Sequence, residues 1–371
     1  MRTELCDRFG IEYPIFAFTP SEHVAAAVSR AGGLGVLGAV RFNDPAELDR
    51  TLTWLDDNTD GKPYGVDVVM PMTVPTEGKA VDLQAMIPEA HMSFVERTLQ
   101  QLGVPPLPEG EGRDGVLGWL HSVARSHVDV ALSHRPVLIA NALGSPPKDV
   151  IEQAHAAGVQ VAALAGAAKH AMTHVANGVD IIIAQGYEAG GHTGEIASMV
   201  LTPEIVDAVG PDVAVLGAGG IGRGRQIAAS MALGAQGVWN GSVWLTTKEY
   251  ENLNSNKGMT EAFLRASSAD TVRTRVYTGK PARLLKTRWT QAWEAEDAPK
   301  PLPMPLQNLL VSDAHSRMNS AGDPDVISMP VGQIVGTMNE VRSVADVMAD
   351  LVAEYEETVD RLTALRGAPV Q

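Results

Sequence analysis

Short runs of apolar, β-branched residues alternate along most of this chain with stretches whose apolar positions recur every three or four residues. The first pattern predicts strands buried on both faces, the second amphipathic helices packed over them. Tyr13–Phe18 reads as the first strand, and Ser21 can cap a helix that runs to Ala31 and stops at Gly32 and Gly33. Leu34–Leu37 is a second strand, after which Asp44 and Pro45 open a helix as cap and first-turn proline. Tyr64–Met70 is a third. From Pro71 to about Arg135 the rhythm breaks into proline-rich turns and two helical patterns, Val81–Gln101 and Val116–Leu132. It resumes with strands at Pro136–Ala140, Val159–Leu164, Val179–Ala184, Val213–Leu216 and Gly237–Gly241. Helices at Pro146–Ala157, Ala167–Asn177, Pro203–Val209 and Gly224–Leu233 separate them.

Eight strand–helix units over about 240 residues predict an α/β chain built on a closed TIM (β/α)8 barrel. A helical insertion follows strand three, and an irregular plus helical C-terminal extension follows strand eight. The barrel is expected from residues 1–70 and 136–245. The insertion, 71–135, is expected over the barrel top as a lid, with apolar positions at Leu99, Leu102, Val116, Leu117 and Leu120. The extension, 246–371, should pack on the barrel, with helices near Thr260–Ala266 and from Val341 to about Leu365.

Composition narrows the function classes. A hydrophobic content of 45% suits a globular protein. No run of about 18 apolar residues is present, and the opening MRTELCDRFGIEYP lacks the apolar block of a signal peptide. Cys6, the single cysteine, excludes an internal disulfide and a CxxC metal site, so the cytoplasm is the expected compartment. A net charge of -15 argues against a nucleic-acid partner. Arg273, Arg275, Lys280, Arg283, Lys286 and Arg288 read as a solvated, partly helical surface, with a cationic rim for an anionic ligand such as an acyl carrier as the alternative.

Barrel chemistry sits at the carboxyl ends of the strands. After strand six comes AQGYEAGGHTG, where glycines keep the backbone open around His192. His23, His91, His121, His127, His155, His170, His174 and His315 fall on polar helical or loop stretches instead. After strand seven comes GAGGIGRGRQ, glycines followed by a helix start that can present N–H groups to a phosphate. Asn240-Gly241-Ser242 forms a second donor turn after strand eight. No HExxH or strand-following GxSxG occurs, and Asp and Glu are not clustered near histidines with ligand spacing, so neither a metal centre nor a serine nucleophile is expected.

AGGLGVLG, YGVDVVMP, AQGYEAGGHTG, LGAGGIGRGRQIAASMALGAQGVWNGS and the late GQIVG at Gly332–Gly336 together resemble the nitronate monooxygenases, formerly 2-nitropropane dioxygenases. The resemblance runs in order from about Ile11 to Gly241 and weakly to Gly336, leaving out the insertion and the end of the chain. It implies an FMN-containing barrel that turns nitroalkanes or nitronates and O2 into carbonyl compounds and nitrite. By the same resemblance, Ala17, Phe18 and Thr19 line the isoalloxazine; Asp67, Gln185, Gly186, Gly190 and Gly191 face the flavin; Gly219, Gly220, Gly241 and Ser242 hold its phosphate. His192 matches the catalytic histidine. Two positions depart from the family. Ala17-Phe18-Thr19 replaces an APM-like run, and Asp67 replaces an asparagine that can donate to a flavin carbonyl, which an ionised aspartate cannot. A flavin barrel reducing enoyl thioesters with NAD(P)H, and a flavin-binding protein without oxygenase activity, remain the alternatives. The expected partners are a small-molecule substrate and O2, with no membrane; dimerisation is left open.

Overall fold

The apolar runs pair as parallel strands and close on themselves. In the computed structural model, which describes residues 1–70, 83–108, 121–250, 253, 257–327 and 329–365, helix α1 (Glu4–Phe9) precedes β1 (Ile15–Thr19). Then follow α2 (Glu22–Arg30), β2 (Leu34–Gly38), α3 (Pro45–Asn58) and β3 (Tyr64–Val68). Next come α4 (Glu89–Gln101), α5 (His121–Ser133), β4 (Leu138–Asn141), α6 (Lys148–Ala156), β5 (Gln160–Ala165) and α7 (Ala168–Ala176). The middle of the chain forms β6 (Ile181–Gln185), the two-residue β7 (Gly191–His192), α8 (Ser198–Val209), β8 (Ala214–Ala218), α9 (Gly224–Ala232) and β9 (Gly237–Asn240). The last third holds α10 (Lys257–Arg265), β10 (Thr271–Thr274), β11 (Ala282–Leu285), α11 (Arg288–Ala292), α12 (Leu306–Ala321) and α13 (Val344–Ala364). The barrel order is β1-β2-β3-β4-β5-β6-β8-β9, and Ile15 pairing with Val238 closes it. The eight expected barrel strands are all present, with ends displaced by at most two residues.

Alternation along the strands divides the core in two. Phe16, Leu34, Val36, Leu138, Ala140, Ile181, Ile183, Leu216 and Trp239 fill the lumen, and Leu5, Cys6 and Phe9 of α1 plug its amino end. Val66, Val68, Ile139, Val161 and Ile182 point the other way, into the helix layer. Contact between layers is close at Gly35, where a Cβ would stand 2.0 Å from the carbonyl oxygen of Ala25, so α2 lies directly on β2. Ser21 and Asp44 cap α2 and α3 as expected, their side chains accepting from the N–H groups of Val24 and Ala46.

Four features differ from the sequence reading. First, α5 belongs to the barrel ring: Ala124, Val128 and Ala131 share a core with Leu48, Leu52 and Val150, so the insertion ends before this helix. Second, the described part of the insertion packs against the C-terminal extension. Phe94, Val95 and Leu99 of α4 share a core with Trp289, Trp293, Leu310 and Val311, and with Ala282 and Leu284 of the β10–β11 hairpin. Val116, Leu117 and Leu120 lie outside the described residues. Third, α13 packs on the barrel as expected, but as a member of its helix ring. It packs between α9 and α2, where the eighth helix of the ring belongs, and buries Met348 and Leu351 there. Fourth, the basic residues expected on a partly helical surface lie around two antiparallel strands. Arg283 on β11 is buried and Arg273 on β10 half-buried. Among the described residues no helix is long and apolar enough to cross a membrane.

Candidate active site

The carboxyl ends of β1, β3, β6, β8 and β9 gather most of the sequence-predicted residues into one ring. Phe18 points into the lumen and stacks on Trp239, with centroids 6.1 Å apart and planes 21° from parallel. Gly38 and Gly241 leave room for it, since a Cβ on either would meet its ring at 3.0 and 3.7 Å. Its neighbours on β1 do not join it. Ala17 faces the helix layer with Val24 and Val28. Thr19 Oγ1 accepts from the N–H of Ser21 at the turn into α2. Any contact of these two with a ligand would therefore use their backbone.

Asp67 alternates with Val66 and Val68, which puts its side chain in the lumen. It is 2% exposed, and Oδ2 has no hydrogen-bond partner among the described residues. Burial without a cation pushes its pKa well above the usual carboxylate range, which favours the neutral acid. A neutral carboxyl can donate, which answers the objection that an ionised aspartate cannot. Gln185 ends β6 beside Ala218 of β8, half-buried at the mouth of the lumen.

The loop after β6 is folded tightly. Gly186 donates to the carbonyl of Ala218 at 3.0 Å and accepts from Thr193 Oγ1 at 2.8 Å. A Cβ on Gly186 would fall 2.2 Å from Ser198 Oγ, and one on Gly190 2.7 Å from the backbone nitrogen of Gly332. The carboxylate of Glu188 accepts from the N–H and hydroxyl of Ser198, at 3.0 and 2.8 Å, and so caps α8. Gly191 has φ +74 and leads into His192.

The loop after β8 turns through Gly219 (φ +94) and Gly220 (φ +71). An alanine Cβ at Gly219 would also approach the carbonyl oxygen of Gly186 to 3.0 Å, so this stretch is bare backbone by necessity. Asn240 Nδ2 donates to the carbonyl of Ile221 at 2.9 Å, tying this loop to the Gly241–Ser242 turn. Ser242 Oγ accepts from the N–H of Gly332 at 2.8 Å. The late GQIVG segment thus returns to the site and touches both Gly190 and Ser242. The N-terminus of α9, expected to face a phosphate, is taken instead by Glu354 of α13. Its carboxylate accepts from the Gly224 N–H at 2.7 Å and from Arg223 and Arg225.

His192 is half-buried. Packing around the ring pushes its pKa down to about 4, and the charge of Lys280 adds to the effect. Nε2 lies 2.7 Å from Thr278 Oγ1. Backbone pairing of His192 with Ala282 attaches the β10–β11 hairpin to the histidine strand. Arg283 secures the same junction by donating through Nε and Nη2 to the carbonyl of Tyr187, at 3.1 and 3.0 Å. Thr278 and Glu354 escaped the sequence reading, and Lys280 was read only as part of a basic surface. For the hairpin a partial signal existed: the β-branched run from Thr271 to Thr274 precedes the Thr278-Gly279-Lys280-Pro281 turn, although Ala282–Leu285 after it carries no β-branched residue. Two of the histidines read as polar-face residues are also buried, His127 and His174. His174 is held by Ser145 at 2.6 Å and the Leu164 carbonyl at 3.1 Å, which makes it a packing element. Among the described residues no three potential ligands are grouped to hold a metal.

The nitronate monooxygenase family model matches residues 2–354, a span that includes the insertion and nearly all of the extension. The putative monooxygenase Rv1533 of Mycobacterium tuberculosis is 50% identical over 378 residues, covering 98% of this chain and 99% of its own. Among solved structures, nitroalkane oxidase from Streptomyces ansochromogenes is 27% identical with a TM-score of 0.79, covering 96% of this chain and 99% of that one. FabK from Thermotoga maritima is 27% identical with a TM-score of 0.74, covering 98% and 99%.

Proposed function

The chain belongs to the nitronate monooxygenase family of flavin-dependent oxidoreductases, and from that premise we propose that it uses FMN and O2 to oxidise nitronates or nitroalkanes, with His192 as the base. The observation that carries this reading is the histidine itself. It stands in the glycine loop at the carboxyl end of the barrel, and its lowered pKa keeps the imidazole neutral at pH 7. A neutral imidazole is what a base requires.

The surrounding residues fit a flavin. Asp67 offers a buried, neutral carboxyl whose Oδ2 lacks a partner, matched by the N–H and carbonyl groups on the pyrimidine edge of the ring. Phe18, Gln185, Gly186, Gly190 and Gly191 lie at the same end of the barrel and would border the ring. Gly219, Gly220, Gly241 and Ser242 would present backbone and hydroxyl donors to the phosphate. Glu354 already occupies the end of α9, so the phosphate would rely on the loop N–H groups and not on that helix.

With a neutral nitroalkane, His192 takes the proton on the carbon next to the nitro group. The C–H bond breaks, its electron pair moves into the nitro group, and the products are a nitronate and an imidazolium. FMN, when bound, supplies the electron-transfer and dioxygen chemistry that converts nitronate and O2 into carbonyl compound and nitrite. A preformed nitronate needs no deprotonation.

The test is a yellow purified protein assayed for nitrite with a nitroalkane and with its nitronate. His192→Asn should keep the flavin and lose about 10²–10⁴-fold on the nitroalkane, and far less on the nitronate. Equal wild-type rates on both substrates would remove His192 from the mechanism. NADH or NADPH oxidation with an enoyl thioester, and no nitrite, would replace the oxygenase reading with a reductase.

A further inference from the structure

Neutral imidazole carries its proton on only one of two nitrogens, and the base is the other one. In this site the two nitrogens of His192 are not equivalent. Nε2 lies 2.7 Å from Thr278 Oγ1, while Nδ1 has no partner among the described residues.

Thr278 is 6% exposed and stands on the turn of the β10–β11 hairpin. That turn is fixed to the histidine strand through its second arm. Ala282 pairs with His192, and the N–H of Thr193 donates to the Pro281 carbonyl at 3.3 Å. Gly279, at φ +88, lets the turn close and donates to the Arg275 carbonyl at 2.8 Å. The N–H of Lys280 donates to Thr278 Oγ1 at 3.4 Å. A hydroxyl oxygen has two lone pairs, so this contact leaves one to accept from the histidine.

We infer that Thr278 is a positioning residue that accepts from Nε2–H of His192, fixing the tautomer in which Nδ1 holds the free lone pair and takes the substrate proton. The inference rests on His192 being the base. The proton leaves the substrate carbon for Nδ1, the C–H electron pair enters the nitro group, and Nε2–H keeps its bond to Thr278 throughout. The hairpin comes from the extension, about 80 residues beyond the loop it serves. The extension is thus required for the chemistry as well as for packing.

Holoenzyme with ¹⁵N-labelled histidine tests this directly, because ring-nitrogen shifts report which nitrogen is protonated and His192→Asn identifies the resonance. Wild type should show His192 protonated on Nε2. Thr278→Val removes the acceptor at similar volume. It should lower kcat/KM for a neutral nitroalkane about tenfold, lower that for the nitronate less than about threefold, and shift the tautomer signal. Thr278→Ser should restore both rate and signal. A wild-type resonance protonated on Nδ1, a Thr278→Val enzyme as fast as wild type, or an equal loss on both substrates would each overturn the role of Thr278. A slow His192→Asn beside a fast Thr278→Val leaves the base in place and removes only Thr278. A fast His192→Asn removes the base itself.

Discussion

The lowered pKa of His192 makes a quantitative claim about the acidic limb of the rate profile. An ordinary histidine, with pKa about 6.5, is only about one-tenth neutral at pH 5.5. With its pKa pushed to about 4, His192 remains almost wholly neutral there. If it is the base, kcat/KM for a neutral nitroalkane at pH 5.5 should match the plateau near pH 8, where an unshifted histidine would give about a tenth of it. The fall should come near pH 4. Initial rates of nitrite release at substrate well below KM, with time points developed at one common pH, measure this. Visible spectra at each pH establish that the flavin stays bound. Burial is the larger cause of the shift and the Lys280 charge the smaller, so Lys280→Gln should move the limb upward yet leave it below 6.5. A wild-type limb between pH 6 and 7, with flavin retained, would refute the account of a desolvated imidazole.

Gly219→Val should yield folded but colourless protein, because φ +94 and the 3.0 Å approach to Gly186 leave no place for a branched side chain; absorbance near 450 nm against far-UV circular dichroism decides it. Asp67→Asn should retain FMN. Wild type should hold it less tightly as pH rises through the raised pKa of Asp67, since a carboxyl whose folded pKa is raised stabilises the site below that pKa and loses this above it, whereas the asparagine enzyme should be insensitive. Burial alone would raise Glu354, but hydrogen bonds from Arg223 and Arg225 prevail and hold its pKa below the usual range. Its contribution is present at neutral pH and disappears as pH falls through that lowered value. Glu354→Gln should cost about 1–2 kcal/mol at pH 7, discounted for the exposed arginines, and less in acid, as read from urea midpoints.

The barrel was legible because parallel strands buried on both faces leave a strong local signature. Ile181–Gln185 and Ala214–Ala218 could hardly be anything else, and Ser21, Asp44 and Pro45 mark helix starts by local hydrogen bonding. The glycine loops were legible for a steric reason. Gly186, Gly190 and Gly219 stand where another backbone or side chain comes within about 3 Å of any Cβ, so their spacing reports the shape of the loop. Orientation was harder to read. Ala17 and Thr19 share a strand with Phe18, but alternation sends them to the opposite face. His127 lies on a helix with an even mix of polar and apolar positions. Its burial depends on the Phe42 carbonyl, which accepts it from a loop 85 residues earlier.

What the sequence concealed is consistently non-local. The helix after the eighth strand does not follow it; its place beside α2 and α9 is filled by α13, which begins about 100 residues later. Local periodicity identifies α13 as amphipathic but says nothing of which gap it fills. Once it is there, Glu354 reaches the N-terminus of α9 and accepts from its first N–H. The intervening chain supplies the hairpin that carries Thr278 to His192 and the Gly332 N–H that holds Ser242. The extension therefore completes the barrel wall and contributes to the site. Truncation before α10 should then cost both the fold and the flavin, where an independent appendage could be removed with neither. Expression of residues 1–256, followed by limited proteolysis and a visible spectrum, separates the two: a compact yellow fragment would show that the barrel closes without its displaced eighth helix.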